Sequence, residues 1–255
     1  MSGEKTNSVL LVVPAFNEGT RLAAFLPGLC SAVRASGEPV SLLVVDDGSA
    51  PGESSAMRQV VDRLRADHAF LRPLMALGKN RGKGGAIYAG WDCAGDAGWL
   101  GFVDADGAVT AEDAVRFAAA ARAEENLDGL FANRIHALGR PVERAFTRHL
   151  AGRIYATLSS ILTGIPVYDS QCGLKFVRSG CYRRVRGGLG TMRFGFDMEL
   201  IAMLHLAGCR LREEPLSSWR DVPGGKVRLL RDSVAMFFSL LALRKKLAAQ
   251  ATKSP

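Results

Sequence analysis

The stretch Val40-Ser41-Leu42-Leu43-Val44-Val45-Asp46-Asp47-Gly48-Ser49 decides the fold. Five of its first six residues are aliphatic, without the apolar–polar alternation of a strand that keeps one face in water. Such a run reads as a strand covered on both faces, as in a parallel sheet clothed by helices. It stops at two carboxylates and a glycine, and in sheets of this kind ligands sit beyond the carboxyl ends of the strands. Working outward, Ser8–Val13 is a second such run, closed by Pro14-Ala15-Phe16-Asn17-Glu18, and Trp99–Val103 is another, closed by Asp104-Ala105-Asp106-Gly107. Phe70–Met75 and Leu127–Ala132 read as further strands. Between them, Arg21–Ala35 carries Leu22, Phe25, Leu26, Leu29 and Val33 at helical spacing, and Ser55–Arg65, Gly84–Ala94 and Ala111–Glu124 read as helices. The alternation predicts an α/β, Rossmann-like, doubly wound sheet.

The strand ends carry the chemistry. The first lacks the G-x-G-x-x-G of a dinucleotide site. Acids such as Asp46 and Asp47 can accept from ribose hydroxyls or base N–H groups, and Asp104 and Asp106, two apart beyond a strand, can share a hard divalent cation. An isolated strand-end acid is as readily a turn former or helix cap. Three acidic ends in one sheet favour a site. Gly78-Lys79-Asn80-Arg81-Gly82-Lys83-Gly84-Gly85-Ala86 offers backbone N–H groups, a helix start and three cations to a phosphorylated ligand. It is one residue short of a P-loop and has Gly84 where that motif needs a hydroxyl, which disfavours an NTPase.

The 255 residues include 33 Lys+Arg against 25 Asp+Glu, a net charge of +8 that points to a polyanionic partner. Aromatics make up only 7% of the chain and do not interleave with the basic residues as nucleic-acid stacking platforms do. Five cysteines without a C-x-x-C pair disfavour zinc or a disulfide framework and suit a reducing, cytoplasmic location. No run reaches the roughly 18 apolar residues of a membrane span. Two long segments, Val142–Leu162 and Arg228–Leu247, read as helices with apolar stripes and basic flanks. From Lys226 onward there are seven Lys+Arg and one acid, so the chain divides into a domain over 1–225 and a basic amphipathic helix and tail over 226–255.

Taken in order, Pro14-Ala15-Phe16-Asn17-Glu18, Val45-Asp46-Asp47-Gly48-Ser49, Asn80-Arg81-Gly82-Lys83-Gly84 and Asp104-Ala105-Asp106 resemble the nucleotide-sugar half of family 2 glycosyltransferases. Asp169-Ser170-Gln171-Cys172-Gly173-Leu174-Lys175, Phe196-Asp197-Met198-Glu199 and Gly225-Lys226-Val227-Arg228-Leu229-Leu230-Arg231-Asp232-Ser233 are similar to the dolichyl-phosphate β-glucosyltransferase branch and its polyprenyl-phosphate relatives. The resemblance implies a GT-A fold with a mixed sheet. It also implies a nucleotide pocket of Pro14, Ala15, Asn17, Glu18, Asp46 and Asp47 with Lys83 beside it, and Mg²⁺ or Mn²⁺ on Asp104 and Asp106. Two departures stand out. The mannosyl branch usually has Gln where this chain has Ala108, and the membrane anchor or spans of many relatives have no counterpart in this sequence, so contact with a membrane is expected to be peripheral, on its inner face.

The expected reaction is inverting transfer of a hexose, glucose from UDP-glucose by resemblance, to a polyprenyl monophosphate. A phosphate acceptor is already anionic and needs cations rather than a base, and Arg134, Lys175, Arg228 and Arg231 are the candidates. Asp197 is expected to orient acceptor or sugar. If the acceptor is instead a glycan or protein hydroxyl, Asp197 or Glu199 becomes the base. A basic binding module without catalysis is the remote reading. Phe237, Phe238, Leu240, Leu241 and Leu243, followed by Arg244-Lys245-Lys246, suit an anionic membrane surface, the protein's own core or a second copy in a homo-oligomer equally well.

Overall fold

The computed structural model describes residues 7–135, 142–143, 146–193, 195–220, 222 and 238–248, with 142–143 and 146–153 as backbone alone. A seven-stranded sheet forms its centre. Its strands are β1 (Val9–Ala15), β2 (Val40–Asp46), β3 (Met75–Ala76), β4 (Trp99–Val103), β5 (Gly129–Asn133), β7 (Leu174–Arg178) and β8 (Leu211–Pro215), in the order β3-β2-β1-β4-β7-β5-β8. All run parallel except β7, which lies antiparallel between β4 and β5. The sheet is therefore mixed, and β7 begins at the edge where its neighbours end.

Both faces are covered, as the unbroken aliphatic runs require. On one, Leu11, Val13, Leu42 and Val44 pack with α1 (Gly19–Ser36), α2 (Pro51–Arg65) and α4 (Ala111–Ala123) through Leu22, Leu26, Met57, Val61 and Phe117. On the other, Leu10, Val12, Leu43, Val45 and Phe102 meet α3 (Lys83–Asp92), α5 (Phe146–Thr163), α6 (Ser179–Val185) and α7 (Phe196–Leu206). Every residue of α7 from Phe196 to Leu204 is buried, the mark of an interior helix.

Two expected elements come out differently. The strand over Phe70–Met75 shrinks to Met75–Ala76 with an isolated bridge between Leu42 and Leu71. Pro73 lies between them and has no N–H to donate to a ladder. The helix over Val142–Leu162 starts only at Phe146, because Val142–Glu143 form β6, paired in parallel with β9 (Trp219–Arg220). At the C-terminus, residues 238–248 are helical. Leu240 and Leu243 are buried in the second core while Phe238 is exposed, so part of the apolar stripe docks on the protein itself. The proposed boundary at 225/226 lies outside the described residues. No helix among the described residues is long and apolar enough to cross a membrane.

Candidate active site

The carboxyl ends of β1, β2, β4 and β5 meet along one edge and carry the predicted residues. At the β1–β2 end, Asp47 is buried and accepts from the Arg81 and Gly82 N–H groups at 2.7 and 2.8 Å. It fastens the basic loop to the sheet. Burial pushes its carboxyl above the usual range, against the pull of those two N–H donors. Asp46, also buried, accepts from the Ser49 N–H at 2.9 Å. Between them and the loop, Gly48 takes φ 70°, and a Cβ there would lie 2.4 Å from the Lys79 carbonyl carbon. Asn17 sits at φ 51°; its N–H donates to Ser49 Oγ at 2.8 Å and its Oδ1 accepts from the Ala50 N–H at 2.9 Å. Half-buried Pro14 and buried Ala15 line the same corner, and Glu18 pairs with Arg21 at 3.2 Å. The predicted nucleotide residues are thus one continuous lip, most of whose polar atoms shape the lip itself.

Beside that lip, Lys83 opens α3. Its Nζ lies 2.6 Å from Asp104 Oδ1 and 2.9 Å from Oδ2, and 5.2 Å from the centre of the Phe102 ring. Burial works to lower the Lys83 ammonium, but the Asp104, Asp197 and Asp106 carboxylates together outweigh it and the net shift is upward. Asp106 accepts from the Ala108 N–H at 3.0 Å, and burial, joined by the Asp104 charge, pushes its carboxyl up. A Cβ on Gly173 would lie 2.3 Å from Asp104 Oδ2, so only glycine lets the β7 entry run past this carboxylate.

Lys175 is fully buried on β7, with Nζ 2.6 Å from Asp197 Oδ1 and 2.7 Å from the Cys172 carbonyl. Asp197 and Glu199, both buried, stand on the first turn of α7. Glu199 accepts from the Gly190 and Thr191 N–H groups at 2.9 and 2.7 Å and pairs with Lys246 at 2.6 Å. Arg134 grips Asp169 with two bonds, 2.6 and 2.7 Å, and lies over the Trp219 ring. Arg228 and Arg231 lie outside the described residues.

The structure therefore gathers every described candidate at one edge, but it commits Arg134 and Lys175 to carboxylates. Asp169 as the partner of Arg134, Gly173 beneath Asp104, and Lys246 as the partner of Glu199 are contacts between distant residues. Only the quoted motif around Asp169–Lys175 hinted at the first two.

Dolichyl-phosphate β-glucosyltransferases resemble the chain over most of its length. The Saccharomyces cerevisiae protein is 26% identical over 92% of this chain and 73% of its own, and the Homo sapiens protein is 26% identical over 87% and 70%. Among solved structures, a mannosyltransferase from Pyrobaculum calidifontis in complex with GDP-Man and Mn²⁺ superposes with a TM-score of 0.61 at 17% identity, covering 97% of this chain and 75% of that one. Glucosyl-3-phosphoglycerate synthase from Mycobacterium tuberculosis in complex with UDP gives 0.66 at 14% identity, covering 93% and 80%. These likenesses identify the GT-A fold. The model of the family described as glycosyl transferase family 2 matches residues 10–183, more than half of the sequence, and the chain belongs to that family.

Proposed function

We propose that this glycosyltransferase moves a hexose, glucose from UDP-glucose in the first instance, onto the phosphate of a polyprenyl-type lipid, with inversion at the anomeric carbon. The observation that carries the choice of acceptor is the state of the carboxylates. A hydroxyl acceptor needs a base, yet Asp197 is ion-paired with buried Lys175, and Glu199 is held by two N–H groups and Lys246. Each carboxylate is thus already engaged by a fixed donor at an oxygen that a base would need to offer the hydroxyl. A phosphate monoester needs none. The similarity to dolichyl-phosphate β-glucosyltransferases over 92% of the chain supports the same acceptor class.

In this reading an acceptor phosphate oxygen forms the bond to the anomeric carbon as the bond to the donor's β-phosphate oxygen breaks, and the nucleoside diphosphate leaves with that electron pair. The β1–β2 lip holds the nucleotide. Lys83 sits where negative charge grows on the departing diphosphate. Asp104 and Asp106 fit Mg²⁺ or Mn²⁺: they are hard oxygen donors, and a cation relieves the repulsion from Asp104 that adds to burial in raising Asp106. When bound, that ion supplies charge neutralisation for the leaving group. Asp197 faces the acceptor and sugar, with Lys175 fixing its position, and Arg134 fixes the 169–173 segment. Arg228 and Arg231 are assigned to the acceptor phosphate. Exposed Phe238, Arg244 and Lys245 place an apolar and cationic edge toward an anionic membrane surface, on which the protein rests peripherally at the cytoplasmic side.

The test is a donor screen with Mn²⁺ and a short-chain polyprenyl phosphate, following nucleoside diphosphate release and the glycolipid. UDP-glucose should give turnover that Asp106→Asn abolishes. Turnover with soluble hydroxyl acceptors only, lost in Asp197→Asn, would sink the lipid-phosphate reading.

A further inference from the structure

The charged side chains at the strand ends are largely paired with one another: Lys83 with Asp104, Lys175 with Asp197, Arg134 with Asp169. Several neutral groups near them are not, Asn80 Oδ1 and Ser170 Oγ included, and two of these share the sheet face of Lys175. Those two, Asn133 Oδ1 and Tyr155 Oη, are buried and make no hydrogen bond, in residues only 3% and 9% exposed. The register says where Asn133 points. Phe102 and Phe131 both pair with Lys175, so all three share one sheet face, and Asn133, two residues beyond Phe131 in β5, returns to that face. Tyr155 reaches it from α5, packed in the core cluster that contains Phe102, Phe131 and Phe196. It lies within the field of the Asp197 carboxylate. Ser159, one turn on, is the nearby hydroxyl; its own proton goes to the Tyr155 carbonyl at 2.7 Å, so it can only accept from Tyr155 and leaves the lone pairs of the Tyr155 hydroxyl unmet.

A buried hydroxyl or amide without a partner is costly, and in a native structure it calls for a water or a ligand. Some orphans here, such as Trp99 Nε1, lie at the start of β4, the far end of the sheet from the site. Asn133 ends β5 at the site, and Tyr155 stands on the same sheet face, in one core cluster with Phe102, Phe131 and Phe196. Their chemistry selects the ligand. Burial keeps the Tyr155 hydroxyl protonated far beyond neutral pH, so the two groups offer a neutral O–H and a neutral amide. Neither suits a phosphate in preference to the cations nearby. Both suit the hydroxyls of a sugar ring, which donate and accept at once.

We infer that Asn133 and Tyr155 form the recognition floor for the transferred hexose, hydrogen-bonding its ring hydroxyls beside Asp197. The inference rests on the nucleotide-sugar reading above and adds to it which residues read the sugar. Rejection of a sugar lacking the matching hydroxyl then follows, because the site's own polar groups would be left unpaired.

Calorimetric titration of the full chain with UDP-glucose and GDP-mannose, and separately with UDP and GDP, all with Mn²⁺, tests this. Tyr155→Phe and Asn133→Ala should each weaken the preferred sugar nucleotide roughly tenfold while leaving the matching diphosphate within about twofold. Equal weakening of both ligands, or of neither, overturns the inference. A second arm uses wild-type protein and monodeoxy analogues of the preferred donor, so it does not depend on a variant folding. One deoxy position should cost as much as Tyr155→Phe, and the two deletions combined should cost no more than either alone. Additive losses, or indifference to every deoxy position, again overturn it. Wild-type protein that binds none of the four nucleotides would instead remove the donor reading itself, a failure visible before any variant is compared.

Discussion

Lys83–Asp104 and Lys175–Asp197 are chemically the same ion pair, each closing at 2.6 Å, and the two ammonium groups flank one ring, 5.2 and 5.3 Å from the centre of Phe102. What separates them is water. The side chains of the first pair are 34% and 29% exposed, those of the second 0% and 11%. A half-buried pair that water still reaches gains less from its own attraction and opens more readily; a buried pair cannot open without stranding a charge. The first therefore suits a group that must exchange partners when a diphosphate arrives, and the second suits a fixed strut beneath the sugar and acceptor.

The sharpest way to break the comparison is to remove one member of the buried pair. Lys175→Met should cost about 3–5 kcal/mol in urea denaturation, because Asp197 is left buried and uncompensated. Lys175→Met combined with Asp197→Leu should recover most of that loss. A single variant that loses less than about 1 kcal/mol would mean that water reaches Asp197 and that the two pairs are alike after all.

Lys83→Met probes the other side. Its stability loss should stay within about 1 kcal/mol, while turnover in the polyprenyl-phosphate assay falls on the order of 100-fold, the scale of losing one preorganised stabiliser of developing charge. The opposite pattern, a protein that denatures early yet turns over normally when folded, would reverse the roles assigned to the two lysines.

This division of labour was only half legible in the sequence. Asp46, Asp47, Asp104 and Asp106 announce themselves by position, because a covered strand that ends in acids must present them at the sheet's edge. Lys83 follows from its place at a helix start. Lys175 reads as a phosphate-binding cation, and nothing in Gly173-Leu174-Lys175 tells that β7 runs antiparallel between β4 and β5 and buries that lysine against a residue 22 positions away. The α/β alternation was legible because each strand and helix carries its own periodicity. β6 was not, since a two-residue strand has no period to read, and β3 keeps only the end of the run Phe70–Met75 that announces it. Pairings across the fold, Arg134 with Asp169 and Lys246 with Glu199, are set by tertiary distance alone.

Arg134–Asp169 lies between the two extremes, with side chains 14% and 11% exposed. Here geometry rather than burial is the variable. The guanidinium makes two bonds to the carboxylate and covers Trp219, neither of which an ammonium can reproduce. Arg134→Lys keeps the charge and should still cost about 2 kcal/mol, read by the same denaturation. A neutral result would show that charge, not the planar fork, holds the 169–173 segment.

Lys246–Glu199 completes the series, again at 2.6 Å, with one half-buried partner at 30% and one buried at 5%. If burial of the pair as a whole set the cost, Lys246→Ala should resemble Lys175→Met. Glu199, however, retains two backbone N–H donors, from Gly190 and Thr191, and a carboxylate so held does not become an orphan when a cation leaves the rim. The loss should therefore be about 1–2 kcal/mol, the bonds of Lys246 to Glu199 and to the Gly188 carbonyl rather than a stranded ion. It should fall on the C-terminal helix, which Lys246 helps to pin while Leu240 and Leu243 bury in the core. Hydrogen exchange in residues 238–248 should speed up in Lys246→Ala while the amides of β4 and β7 stay protected. Matching acceleration in the strands would mean that the helix, far from being an appendage, is as much a part of the central fold as the buried lysine.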